Sequence, residues 1–166
     1  QGGHSGIVKS ILVSDDDTVL FTGGMDGSVL TWDIRKRSVL QGWGASNHQD
    51  KKRLKRKSSA IDYFNEFHTD SVWNLIQDNQ KKDFFYSGGR DGRIFQIDVR
   101  AVMTDQLLEP RNDPGLPITC MQHDSLNNKL WYGTTESSLQ CIDLPVTNSK
   151  GIMQKISSRP TSTPPL

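Results

Sequence analysis

Cysteine is scarce in this sequence, two in 166 residues, and both thiols, Cys120 and Cys141, sit in strand-like apolar settings. A disulfide-stapled secreted scaffold is excluded on that ground, and an intracellular location, cytoplasm or nucleus, is expected. The two cysteines and four histidines lack metal-ligand spacing, with no Cys-x-x-Cys pair, so neither a metal nor another cofactor is expected. No apolar run approaches the roughly 20 residues that span a bilayer, and no stretch reads as a secretory signal. The chain opens at Gln1 rather than Met, as a piece of a longer protein or a processed product would. Phosphate loops are missing too, because Gly23-Gly24 and Gly88-Gly89 precede hairpin turns rather than helix N-termini.

Hydrophobic residues make up only 34% of the chain, while Gly and Asp recur in turn-like clusters. That balance favours many short strands over long packed helices. Net charge is +1, but six of the cations crowd into Lys51-Lys-Arg-Leu-Lys-Arg-Lys57. Without that run the body stands at −5, which argues against a general nucleic-acid binder. Nucleic acid is expected as a partner only through the 51–57 run, if at all, and a solvated loop is the preferred reading of it.

What the sequence does contain is a repeat. One copy runs over residues 4–35, through Val19-Leu-Phe-Thr-Gly-Gly-Met-Asp-Gly-Ser-Val-Leu-Thr-Trp-Asp33. A second occupies 68–100, through Phe84-Phe-Tyr-Ser-Gly-Gly-Arg-Asp-Gly-Arg-Ile-Phe-Gln-Ile-Asp98, and a weaker third spans 118–144. Each begins with an alternating run (Val8 to Val13, Val72 to Ile76, Ile118 to Met121), then a polar turn and a second strand. In the first two copies that strand ends in Gly-Gly, and an Asp-Gly turn leads into a third strand. Asp-Gly between alternating runs marks a hairpin, because the turn needs positive φ. A fourth strand is read before a repeat start, as in Ala60-Ile-Asp-Tyr-Phe-Asn-Glu-Phe67. The fold class is therefore all-β, about three four-stranded antiparallel blades of a propeller within 1–156. The segment from about 36 to 59 reads as an insertion between the third and fourth strands, since His4 and His68 stand 64 positions apart where blades recur every 40–45 residues. Residues 157–166, rich in Pro, Ser and Thr, read as a linker.

Inside the first copy, His4, Thr22, Asp26 and Trp32 are spaced so that a turn carboxylate finds donors in a histidine and a bridging hydroxyl, ended by an indole N–H. They resemble the His–Ser/Thr–Asp–Trp tetrad of WD40 repeats, and Trp32-Asp33 is that family's dipeptide. The second copy keeps His68, Ser87 and Asp91 but has Ile97 for Trp; the third has Tyr132, Glu136 and Ile142 with no histidine. A hydrolase triad would need an exposed hydroxyl and an oxyanion hole. Hydroxyls set within strands, recurring with the repeat, predict a structural network and no enzyme.

Lys9 and Trp73 hold equivalent places, each after a valine, Val8 or Val72, that is expected to point into the blade stack, so that Lys9 and Trp73 point the other way. Ile7, Lys9, Ser71 and Trp73 are therefore the candidate partner-binding residues at the end where loops converge. The run from His68 through Val72-Trp73 and Tyr86-Ser-Gly-Gly-Arg-Asp91 to Leu130-Trp131 and Thr134-Thr-Glu-Ser137 resembles the WD-repeat protein 48 family, scaffolds of ubiquitin-specific proteases. The resemblance spans about 60–166, and more weakly 1–35. It implies a non-catalytic activator of deubiquitination, with a ubiquitin-specific protease as partner and ubiquitin as a further one. A generic WD40 adaptor, in a ubiquitin-ligase or RNA-processing assembly, is the alternative.

Overall fold

The computed structural model describes residues 3–44, 67–100, 103–108 and 115–144. The basic run 51–57, the strand read at 60–66 and the segment 157–166 lie outside the described residues. Eleven strands are described, and they form three antiparallel sheets. The first contains β1 (Val8–Val13), β2 (Val19–Gly24), β3 (Val29–Asp33) and β4 (Ser38–Trp43) in that order. The second contains β5 (Val72–Gln77), β6 (Phe84–Gly89), β7 (Ile94–Asp98) and β8 (Met103–Leu108). The third has, among the described residues, β9 (Ile118–Asp124), β10 (Lys129–Thr134) and β11 (Leu139–Asp143).

The strand-to-strand turns follow from their residues. Gly27 and Gly92 take φ of +71° and +74° in the two Asp-Gly turns, a conformation that side-chain-free residues adopt without strain. Ser137 takes φ of +57° in the corresponding turn of the third sheet, which has no glycine there. Asp17 and Asn128 supply positive φ in the β1–β2 and β9–β10 turns, as short polar side chains tolerate best.

The fourth strand is where sequence and structure part. Four residues separate β4 from β3, so residues 38–43, read as insertion, complete the first sheet. Phe67, read as the end of a strand, lies in the loop before β5, buried between rings. Outer strands give weak sequence signals because one side faces solvent; β4 alternates exposed and half-buried positions up to Trp43.

The sheets stack face to face around two cores. Between the first and second lie Phe21, Val29, Trp43, Phe67, Val72, Phe85 and Ile97. The Phe21 and Phe85 rings stand 4.5 Å apart, and Trp43 meets Phe85 edge-on at 5.9 Å. Tyr86, Ile94, Ile118, Leu130, Tyr132 and Ile142 fill the space between the second and third. The middle sheet is thus buried on both faces, which is why β6 and β7 read as nearly continuous apolar runs. Each fully buried aliphatic or aromatic side chain contributes roughly 1.5–3 kcal/mol.

Candidate functional site: blade networks and the loop rim

His4 stands in the loop before β1, Thr22 on β2, Asp26 in the β2–β3 turn and Trp32 on β3. The structure brings all four together. His4 Nδ1 lies 3.0 Å from Asp26 Oδ1, and His4 Nε2 lies 2.7 Å from Thr22 Oγ1. Trp32 Nε1 donates to the same hydroxyl at 2.8 Å. Asp26 also accepts from the Ser5 backbone N–H at 2.7 Å and the Ser28 hydroxyl at 2.6 Å. Burial pushes the Asp26 carboxyl up, but hydrogen bonds from Ser28, His4 and the backbone outweigh it and hold it below the ordinary aspartate value.

The second sheet repeats the arrangement more deeply. His68 Nδ1 lies 3.0 Å from Asp91 Oδ1 and Nε2 lies 2.9 Å from Ser87 Oγ. Backbone N–H groups of Thr69 and Arg93 donate to Asp91 at 2.8 and 3.1 Å. Burial raises Asp91 as well, and the His68 bond and charge with the two backbone donors bring it below the usual range. Phe67 and Phe95 pack edge-on against the His68 ring at 4.8 and 4.9 Å. Ile97, fully buried, fills the place of Trp32. Gly89 precedes this turn because a Cβ there would strike both His68 and Asp91.

Ser87 is sealed inside the stack, with no exposed surface from which its hydroxyl could attack a substrate carbonyl. The arrangement is suited to tying the loop before a sheet to that sheet's own hairpin.

In the third sheet Tyr132 and Ile142 lie in the apolar core, away from the exposed Glu136. Glu136 is exposed, and Tyr132 instead donates to Gln140 Oε1 at 2.7 Å. Thr134 and Ser138 pair at 2.7 Å across the hairpin. A second buried network escaped sequence reasoning: Tyr86 donates to Asp78 Oδ2 at 2.8 Å, and His123 packs beside both, 3.8 Å from Asp78. Burial, and then the Asp78 charge, push the Tyr86 phenol far above its ordinary range. His123 Nδ1 accepts the Asn79 backbone N–H at 3.2 Å, joining the second sheet to the third. These residues share no motif spacing; a buried-looking Tyr opposite a polar turn was the only signal.

The loop end of the sheets carries the candidate partner-binding residues. The β1–β2 and β5–β6 ladders each slip by one residue, between Val8 and Ser10 and between Val72 and Asn74, and the residues at the slips are Lys9 and Trp73. A bulge re-aims its extra residue. Lys9 is exposed, and Trp73 is half-buried. Thr119 occupies the same bulge in the third sheet and is exposed, a third equivalent not singled out from sequence. Beside these, the backbone N–H groups of Met25, Arg90 and Thr135 donate to the carbonyls of Ile7, Ser71 and Pro117. Exposed Met25, Arg90 and Thr135 side chains thus rim the same end.

Ile7 is exposed there, but Ser71 is not a surface residue. Its side chain is buried and its hydroxyl donates to Asp70 at 3.1 Å. The hairpin turn of the first sheet packs onto the loop before β5, with Gly27 so near that a Cβ would lie 2.9 Å from the His68 carbonyl. Among the described residues nothing packs on Ile7 in that way, and the alignment of the two positions concealed the difference.

Stacked antiparallel blades with these networks define a β-propeller architecture. Residues 1–33, which carry the first three strands of the first sheet, match the family model described as "WD domain, G-beta repeat". The curated relatives include protein HIR2 of Candida albicans, 29% identical over 57% of this chain, and the methylosome protein WDR77 of Xenopus laevis, 30% identical over 58%. Those matches cover 9% and 22% of the relatives' own lengths. Among solved structures, U3-55K superposes with a TM-score of 0.64 over 98% of this chain, at 12% identity. The WD40 repeats of RRP9 give 0.63 over 93%, at 13% identity. The chain spans 41% and 39% of those two, and the likeness establishes the fold. These comparisons support WD repeats in general and not the narrower WD-repeat protein 48 family. Among the described residues, no helix is long and apolar enough to cross a membrane.

Proposed function

We propose that this chain is a non-catalytic docking scaffold that holds a protein partner against the loop rim built by Ile7, Lys9, Met25, Trp73 and Arg90. The observation that carries the reading is the repeated bulge, which in successive sheets presents Lys9, Trp73 and Thr119 at one end of the stack. Trp73 is the anchor: a large aromatic, half-covered by its surroundings, is the side chain that dominates interface energetics.

The partner favoured by the His68–Ser137 motif run is a ubiquitin-specific protease, whose active form the scaffold would enrich by binding it more tightly than the inactive form. Ubiquitin would then be carried to the complex by the protease. A second reading, an adaptor in another multiprotein assembly, is favoured by the likeness to a methylosome protein. Turnover of a fluorogenic ubiquitin substrate by ubiquitin-specific proteases, with and without this chain, separates the two. The first reading predicts a rise in rate that Trp73→Ala removes while the thermal transition stays in place. Absence of stimulation and of binding across several such proteases leaves the adaptor reading.

A further inference from the structure

The β3–β4 turn carries residues that neither the histidine–aspartate networks nor the loop rim use. Three cations in succession, Arg35, Lys36 and Arg37, lead into Ser38 and then Val39. The three cations and Ser38 are all exposed. Ser38 opens β4 and stands directly opposite Asp33 on β3, whose partner on β2 is Val19. Directly opposed residues share one side of a sheet, and on this side Val19 packs against the core between the first and second sheets. Ser38 is therefore exposed at the end of a side that the molecule itself covers. Antiparallel order puts the turn at the end of the sheet opposite the loop rim, where the Ile34 backbone N–H donates to Thr18 O at 3.1 Å.

Within the turn, the Lys36 backbone N–H donates to Asp33 Oδ1 at 2.8 Å, and its ammonium lies 3.7 Å from Oδ2. The Arg35 and Arg37 guanidiniums, unlike Lys36, pair with no carboxylate among the described residues. Arg37 takes φ of +51°, a left-handed conformation that a long side chain adopts at a cost, so drawing the turn out into extended chain relieves strain. β4 is also the outer strand of its sheet, paired on one side only among the described residues. Among those residues no other serine or threonine follows an arginine by three positions.

We propose that Ser38 is a phosphorylation site for a kinase that reads arginine on the N-terminal side of its acceptor. Arg35 offers a guanidinium three residues before the hydroxyl, Lys36 a second cation, and Val39 an aliphatic side chain after it. Carboxylates and an apolar pocket in a kinase cleft recognise such a set in an extended segment. Ser38 Oγ attacks the γ-phosphorus of a magnesium-bound nucleoside triphosphate. The Oγ–P bond forms as the bond from that phosphorus to the β–γ bridging oxygen breaks. The electron pair leaves on the diphosphate, and the hydroxyl proton passes to the kinase's own aspartate. The product places a charge of about −2 opposite Asp33, which it repels and with which it competes for the Lys36 ammonium.

Outside the described residues Ser59 and Ser162 share the spacing, after Arg56 and Arg159, so the test uses the chain carrying S59A and S162A. It is incubated below its thermal transition with magnesium ATP and the catalytic subunit of cyclic-AMP-dependent protein kinase. Intact mass counts the phosphate and tandem mass spectrometry places it. A single phosphate on Ser38 is expected, and none after S38A. R35A should slow incorporation roughly tenfold or more, through loss of the guanidinium contact. Asp91→Ala, which loosens the second sheet and leaves the turn untouched, should not change the rate. An unphosphorylated chain, a phosphate that persists in S38A or a rate indifferent to R35A would each overturn the proposal. So would a severalfold rise with Asp91→Ala, because the substrate would then be the unfolded chain and not the exposed turn.

Discussion

In the second sheet, one histidine, one serine and one aspartate close a buried circuit in which the carboxylate has three donors and the aromatic rings of Phe67 and Phe95 wall off water. In the third sheet the corresponding hydroxyl belongs to a tyrosine, the corresponding acid is exposed, and the hairpin is closed by Thr134 with Ser138 and by Tyr132 with Gln140. Both sheets keep the same strand order and a hairpin turn with positive φ. The backbone pattern therefore does not require the charged network; the network concentrates stability where it is present. A neutral pair near the surface is worth about 0.5–1.5 kcal/mol, whereas removing one member of a buried charged set leaves the other uncompensated.

The sharpest way to open that contrast is Asp91→Ala, which orphans His68 Nδ1 and two backbone N–H groups. Urea unfolding should show a loss of about 3–5 kcal/mol. Asp26→Ala removes the same circuit in the first sheet, where the carboxylate is slightly less enclosed (9% exposed against 5%), and should cost less, roughly 1–3 kcal/mol by the same measurement. Acid should discriminate the sheets next. Both carboxyls are held below the ordinary aspartate value, so the stability they contribute is complete above that value, about 4. It drains away as pH falls through their lower folded values. Thermal melts between about pH 5 and 2 should fall steeply for the parent and more shallowly for Asp91→Asn. Gln140→Ala, which removes neutral hydrogen bonds to Tyr132 and Ser138 in the third sheet, should shift stability by about 1 kcal/mol or less, read by the same urea titration. Equal losses for Asp91→Ala and Gln140→Ala would erase the distinction between the two sheets.

The repeat was legible because its marks are local. Asp-Gly fixes a turn, Gly-Gly removes the two side chains that would collide there, and a histidine at a set distance reaches the turn carboxylate. The loop rim was legible only in part. Lys9 and Trp73 could be aligned, but Ser71 aligned equally well with Ile7 and is enclosed, because packing by the first sheet's turn is not written in residues 68–71. The fourth strand was misplaced for a related reason. β4 is an outer strand with mixed polarity through Gln41 and Gly42, and its identity comes from pairing with β3, as Val29 does with Trp43. The Asp78, Tyr86 and His123 cluster joins two sheets, so no spacing within one repeat announces it. The narrower family likeness rested on motifs such as Ser87-Gly-Gly-Arg-Asp91, which serve blade construction and so say little about a partner.

On this account the histidine, hydroxyl and aspartate sets tie the loop before each of the first two sheets to that sheet's own hairpin. A double-mutant cycle of His68→Ala with Asp91→Ala, followed by urea unfolding, tests it most directly. Strong coupling is predicted, about 1–3 kcal/mol, with the double variant little worse than Asp91→Ala alone. Additive changes of a few tenths of a kcal/mol in each single variant, with the fold intact, would contradict it.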